Sequence, residues 1–83
     1  MEYFGITLVK TCDACPEQYT AYIRGIEVGL LHLRHGVFTV YSPNSSGKII
    51  YSGYTDGDGM FMMPEREMYL KSACLSIQRY LGI

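Results

Sequence analysis

Three short segments carry residues whose types and spacing could do chemistry. Cys12-Asp13-Ala14-Cys15 sets two cysteines two residues apart, a spacing that suits zinc or thiol exchange. With His32 and His35 downstream, Cys12 and Cys15 supply a four-ligand set of the right types for zinc. The spacing fits poorly, because His32 and His35 stand three apart on an expected strand and face opposite sides unless a turn re-aims His35. The weight therefore falls on a structural loop with incidental cysteines, and no metal is assigned. Asp56-Gly57-Asp58-Gly59 alternates acid with glycine, as calcium loops do. Glu65 and Glu67 do not fall at the spacing that closes such a loop, so the segment reads as a glycine-rich turn into a helix. Leu33-Arg34-His35-Gly36 reads as a hairpin tip whose arginine and histidine could meet phosphate or a carboxylate partner.

Other chemistry finds no foothold. Ser42, Ser45 and Ser46 lie in a loop without the glycine elbow of a hydrolase nucleophile. No glycine-rich phosphate loop opens a helix, since Pro64 opens the one helix the pattern contains. Cys74 sits on an apolar helical face and reads as core. The expectation is a chain with no catalytic residues and no cofactor, not an enzyme.

The elements that must position these groups form an α+β domain: an antiparallel sheet of about four to five strands with one C-terminal helix packed on one face. Alternating apolar residues mark strands at about 3–9, 19–24, 26–34, 37–41 and 48–55. Arg24-Gly25 and His35-Gly36 read as tight two-residue turns pointing to opposite ends of the sheet. They imply the pairs Ile23–Ile26, Ala21–Val28 and Tyr19–Leu30, then Leu33–Phe38 and Leu31–Val40. The apolar phase switches from even positions (Ile26, Val28, Leu30) to odd ones (Leu31, Leu33), which predicts a β-bulge near Gly29–Leu31. Residues 11–18 read as a loop. Beyond Pro64, at the first helical position, Leu70, Ala73, Cys74, Ile77 and Leu81 recur on one helical face. Glu65 and Glu67 suit its first turn, Arg79 its last, and Gly82 its stop.

The 83 residues suit a single domain, 1–83, and the 48% apolar content suits a folded one. Seven basic against eight acidic residues give a net charge of −1, which lacks the basic excess of a duplex-binding module. No basic start followed by an apolar run resembles a signal peptide, no stretch suits a membrane span, and three cysteines do not make an even disulfide set. A cytoplasmic chain is the expectation. Eight tyrosines without a tryptophan suit a contact surface, because a tyrosine ring packs while its hydroxyl stays wet.

Several segments together carry a resemblance. Residues 14–19, Ala-Cys-Pro-Glu-Gln-Tyr, are followed by Val28-Gly29-Leu30, Leu33-Arg34-His35-Gly36 and Phe38, then by Gly57-Asp58-Gly59, Phe61, Glu65-Arg66 and Tyr69-Leu70. Over about residues 14–70 this pattern resembles small proteins encoded in bacteriophages and prophages. It does not extend to Cys12 or His32, which weighs further against a zinc set. Small phage accessory proteins often bind and block a host protein, anti-CRISPR and other anti-defence inhibitors among them. The resemblance thus implies a protein-binding module acting in the cytoplasm of a bacterial host, with an inhibitor of a host defence complex as the role that setting suggests; size and setting carry this, not fold. The contact groups expected are Tyr22, Arg34, His35, Asp56, Asp58, Glu65 and Arg66, tyrosine and arginine being frequent at interface hot spots. The alternatives are a small zinc-stabilised domain and, against the charge balance, a nucleic-acid binder. A sheet edge could also pair with a second copy to give a homodimer.

Overall fold

Three X-Gly dipeptides lay out the sheet. Phe4-Gly5, Arg24-Gly25 and His35-Gly36 all have φ in the left-handed region, at 55° and 81°, 51° and 80°, and 54° and 73°. Paired positive φ values are those of type I′ turns, whose twist matches that of the strands they join. The structure, a computed structural model, describes residues 1–12 and 16–83, without the side chain of Cys12. Its strands are β1 (Glu2–Tyr3), β2 (Ile6–Cys12), β3 (Glu17–Ile23), β4 (Ile26–Arg34), β5 (Val37–Ser42) and β6 (Lys48–Tyr54), followed by the helix α1 (Glu65–Leu81). The strands pair antiparallel in chain order, β1 to β6, as one meander.

The α+β class and the single helix agree with the sequence. The strand count does not: there are six among the described residues, because Phe4-Gly5 turns the chain back and splits off β1, with Tyr3 opposite Ile6. Ile23 pairs with Ile26, Leu33 with Phe38 and Leu31 with Val40, as two-residue turns require. Ala21, however, faces Gly29 and Tyr19 faces Leu31, each one residue beyond the expected partner. The bulge lies at Val28, between the pairs Tyr22–Glu27 and Ala21–Gly29, just ahead of the expected place. This extra residue lets Val28 share the core with Leu31 and Leu33 despite their opposite parity.

Leu70, Ala73, Cys74 and Ile77 of α1 are fully buried over Ile6, Leu8, Ala21, Leu31, Leu33, Phe38 and Val40, in one continuous core. Burying each large aliphatic side chain stabilises by about 1.5–3 kcal/mol. Leu81 is 41% exposed and leaves the helical face assigned to it, because the helix ends there at Gly82. Gly82 takes φ 75°, and its N–H donates to the carbonyls of Gln78 and Arg79. Pro64 caps the helix from outside rather than occupying its first position. Gly29 permits the close approach of α1: a Cβ there would stand 2.8 Å from Ile77 Cδ1.

The helix reaches both ends of the strand order. The Tyr69 hydroxyl donates to the Tyr54 carbonyl at 2.5 Å, and the Gln78 side-chain amide donates to the Phe4 carbonyl at 2.8 Å. The sheet therefore wraps around α1. Its other face carries a row of directly paired residues, Val9, Thr20, Leu30, Tyr41 and Ile49, over which no described element lies. No helix of the described residues is long and apolar enough to cross a membrane.

Candidate functional site

One end of the sheet gathers the charged turn residues. The β4–β5 turn brings Arg34 and His35 out of the sheet, and the chain after β6 folds back onto that turn. Backbone hydrogen bonds fix the approach: Thr55 N–H donates to Gly36 O at 2.8 Å, Gly36 N–H to Asp58 O at 2.6 Å, and Glu17 N–H to Gly59 O at 2.8 Å. The Thr55 hydroxyl donates to Gly57 O at 2.6 Å. Gly57 is buried in this loop, where any side chain would run into the Met60 carbonyl. The result is a cavity of about 340 Å³ lined by Pro16, Arg34, His35, Asp58 and Gly59.

The lining presents one guanidinium, one imidazole and one carboxylate, all on exposed residues. Arg34 Nε donates to His35 Nε2 at 3.2 Å, so this imidazole nitrogen acts as an acceptor. Arg34 keeps its terminal guanidinium nitrogens for a carboxylate, and Asp58 keeps its oxygens for a donor. The arrangement suits polar recognition.

Glu65 and Arg66 turn inward to build this end of the molecule. The Glu65 carboxylate accepts the N–H groups of Asp56 at 2.9 Å, Gly57 at 3.1 Å and Met62 at 2.6 Å. Desolvation pushes its pKa up, but these three bonds outweigh that and hold the carboxyl below its usual range. Arg66 donates Nε to Glu17 Oε2 at 2.8 Å and Nη2 to Glu17 Oε1 at 3.2 Å. The Glu17 side chain is wholly buried and also accepts the Phe61 N–H at 3.0 Å and the Tyr19 hydroxyl at 2.5 Å. Burial again works to raise the Glu17 pKa, and the bonds from Arg66, Tyr19 and Phe61 prevail and lower it. Burial, then the hydrogen bond to Glu17, drive the Tyr19 phenol far above its ordinary value.

Of the seven expected contact residues, Arg34, His35 and Asp58 meet at the cavity. Glu65 and Arg66 stand behind it as supports. Asp56 is exposed next to the loop but does not line the cavity. Tyr22 lies at the far end of β3, opposite Thr7 and Glu27, as the opposed turns imply. Glu17 falls within residues 11–18, which read from sequence as a loop but here include the start of β3. Its signal was its alternation with Tyr19 and Ala21, which places one acid on an apolar strand face.

The Cys15 position and the Cys12 side chain lie outside the described residues, and with them the metal set. Of its other members, His32 stands in mid-strand and His35 in the turn. Among the described residues no group of three or more histidine, cysteine, aspartate or glutamate side chains could hold a metal ion. Burial, and then the charge of Arg34, lower the His32 pKa. Cys74 is buried as expected, and burial pushes its thiol up to about 12, far from a reactive thiolate. No family model matches the chain, and neither a curated protein nor a solved structure matches it.

Proposed function

We propose that this chain is a protein-binding module, not an enzyme, and that it meets its partner through Arg34, His35 and Asp58. The observation that carries the reading is the way these exposed groups are held. Backbone bonds from Gly36 to Asp58 and from Thr55 to Gly36, with the Glu17–Arg66 pair behind them, fix the turn and loop that carry these groups before any partner arrives. A backbone fixed in advance loses little conformational freedom on binding, which is how a small surface gains affinity. A guanidinium beside a carboxylate fits a partner surface that offers both signs of charge. The near-neutral net charge favours a protein over a nucleic acid as the partner. The resemblance to phage and prophage proteins supplies the setting: a host protein in the bacterial cytoplasm, in particular a defence complex of the CRISPR-Cas kind.

The test is a tagged capture from lysate of a bacterium carrying defence systems, run in parallel with wild type and the double variant Arg34→Ala/Asp58→Ala. A host protein held near stoichiometry by wild type and lost by the variant supports the reading. Equal retention by both removes the site, and recovery of the bait alone removes the function.

A further inference from the structure

A second surface lies at the other end of β6. This strand is at the border of the sheet, with β5 as its one neighbour among the described strands. In antiparallel pairing, residues turn their backbone groups alternately toward and away from a neighbour. The two-residue turn closes Arg34 and Val37 into a hydrogen-bonded pair, so Phe38 and Gly53 point their groups at each other. Ser52 and Tyr54 therefore point theirs outward. Two bonds agree with this phase: Thr55 N–H donates inward to Gly36 O, and Tyr54 O accepts from Tyr69 of the helix. Among the described residues the outward N–H and C=O of Ser52 have no partner outside the sheet pairing.

Beside this edge, between β6 and the C-terminal half of α1, runs a groove of about 510 Å³. Lys48, Ile50, Tyr51, Arg79 and Tyr80 form most of its lining, and among the described residues no carboxylate joins them. The ion pairs among the described residues are Arg66–Glu17 and Lys71–Glu67, so Lys48 and Arg79 have no such partner. An open strand edge next to two uncompensated cations and two phenol rings has a definite complement. We propose that the β6 edge and its groove take an extended acidic peptide segment as a seventh strand. Backbone bonds to Ser52 supply affinity, and alternate acidic side chains directed at Lys48 and Arg79 supply selectivity. A second copy pairing through its own β6 brings no carboxylate from that strand to these cations, since Lys48–Tyr54 contains none. Lys48 stands at the opposite end of β6 from Tyr54, which pairs with Val37 next to the Arg34–His35 turn. Ser52, Lys48 and Arg79 all lie outside the lining of the Arg34–His35–Asp58 cavity, so the proposal is independent of the function proposed above.

The probe is a fluorescein-labelled peptide of alternating glutamate and valine, titrated by anisotropy into the full chain. Saturable binding is expected, weakened about tenfold or more when lysine replaces the peptide's glutamates or when Arg79→Glu reverses the groove's charge. Ser52→Pro deletes an outward N–H and spares the β5 pairing, so it abolishes binding while the circular dichroism stays native. Should that variant fail to fold, hydrogen exchange in wild type decides: the peptide must slow the Ser52 amide and leave the Gly53 amide unchanged. No saturable binding, equal binding of the lysine peptide, or full binding by Ser52→Pro overturns the proposal. So does dimerisation of the peptide-free chain that Ser52→Pro removes, which would assign the edge to a second copy.

Discussion

Arg66 in the first turn of the helix closes a two-pronged pair on Glu17 at the start of β3, 49 residues earlier in the chain. The carboxylate is wholly buried, whereas the guanidinium side chain keeps 29% of its surface exposed. Their energetic roles are therefore unequal. The arginine is the counterion that makes a buried acid tolerable, and its loss costs more than the loss of an ordinary ion pair.

Arg66→Met should destabilise the fold by about 3 kcal/mol, because it strands a buried charge. The double variant Glu17→Gln/Arg66→Met should recover part of that loss. Urea unfolding of the single and double variants checks the order.

Stability should fall in two stages on acidification. The folded His32 pKa lies below its ordinary 6.5, so protons bind the unfolded chain preferentially and stability declines as pH drops through about 6.5. Glu17 and Glu65 are lowered from 4.5, so their contribution is complete above that value and is lost as pH falls through the lower folded values. Glu17→Gln should flatten the second stage, and His32→Thr the first, in stability measured against pH.

Glu65 and Asp58 should separate structure from recognition. Glu65→Ala removes three charge-assisted bonds from backbone N–H groups, those of Asp56 and Met62 exposed and that of Gly57 part-buried, and should cost about 1–3 kcal/mol, lowering the melting temperature by several degrees. Asp58→Ala, at an exposed side chain, should stay within about 0.5 kcal/mol of wild type while weakening partner capture. Thermal melts run beside the capture assay test both.

Gly29→Ala should destabilise by about 1–3 kcal/mol through overpacking. The offending atom is Ile77 Cδ1, 2.8 Å from the added carbon, with Tyr41 O at 3.2 Å. Ile77→Val removes that atom, so the pair Gly29→Ala/Ile77→Val should lose less than the two single losses added together.

The legible parts of this fold were local. Arg24-Gly25 and His35-Gly36 announce their turns because X-Gly between alternating strands has few other uses. Phe4-Gly5 carries the same signal, but Phe4 continues the apolar alternation of Ile6 and Leu8 and so looks like strand. The turn instead leaves Phe4 51% exposed. The bulge was visible as a change of parity, though its position depends on which apolar residue the helix covers, and that is a tertiary matter. The candidate site divides in the same way. Arg34, His35 and Asp58 stood out as turn residues, but their meeting depends on Gly36 bonding Asp58 across 22 positions of sequence. Glu65 and Arg66 are expected from the sequence as contact groups, and only their distant partners reveal them as internal supports.

The reach of the helix to both ends of the strand order has a consequence for biosynthesis. Neighbouring strands pair in the order they are made, so the meander can assemble as it leaves the ribosome. Its concave face, with Leu31, Leu33, Phe38 and Val40, has no cover until Ile77 has emerged. Throughout that interval the chain displays a half-covered apolar surface of the kind that makes folding intermediates prone to aggregate.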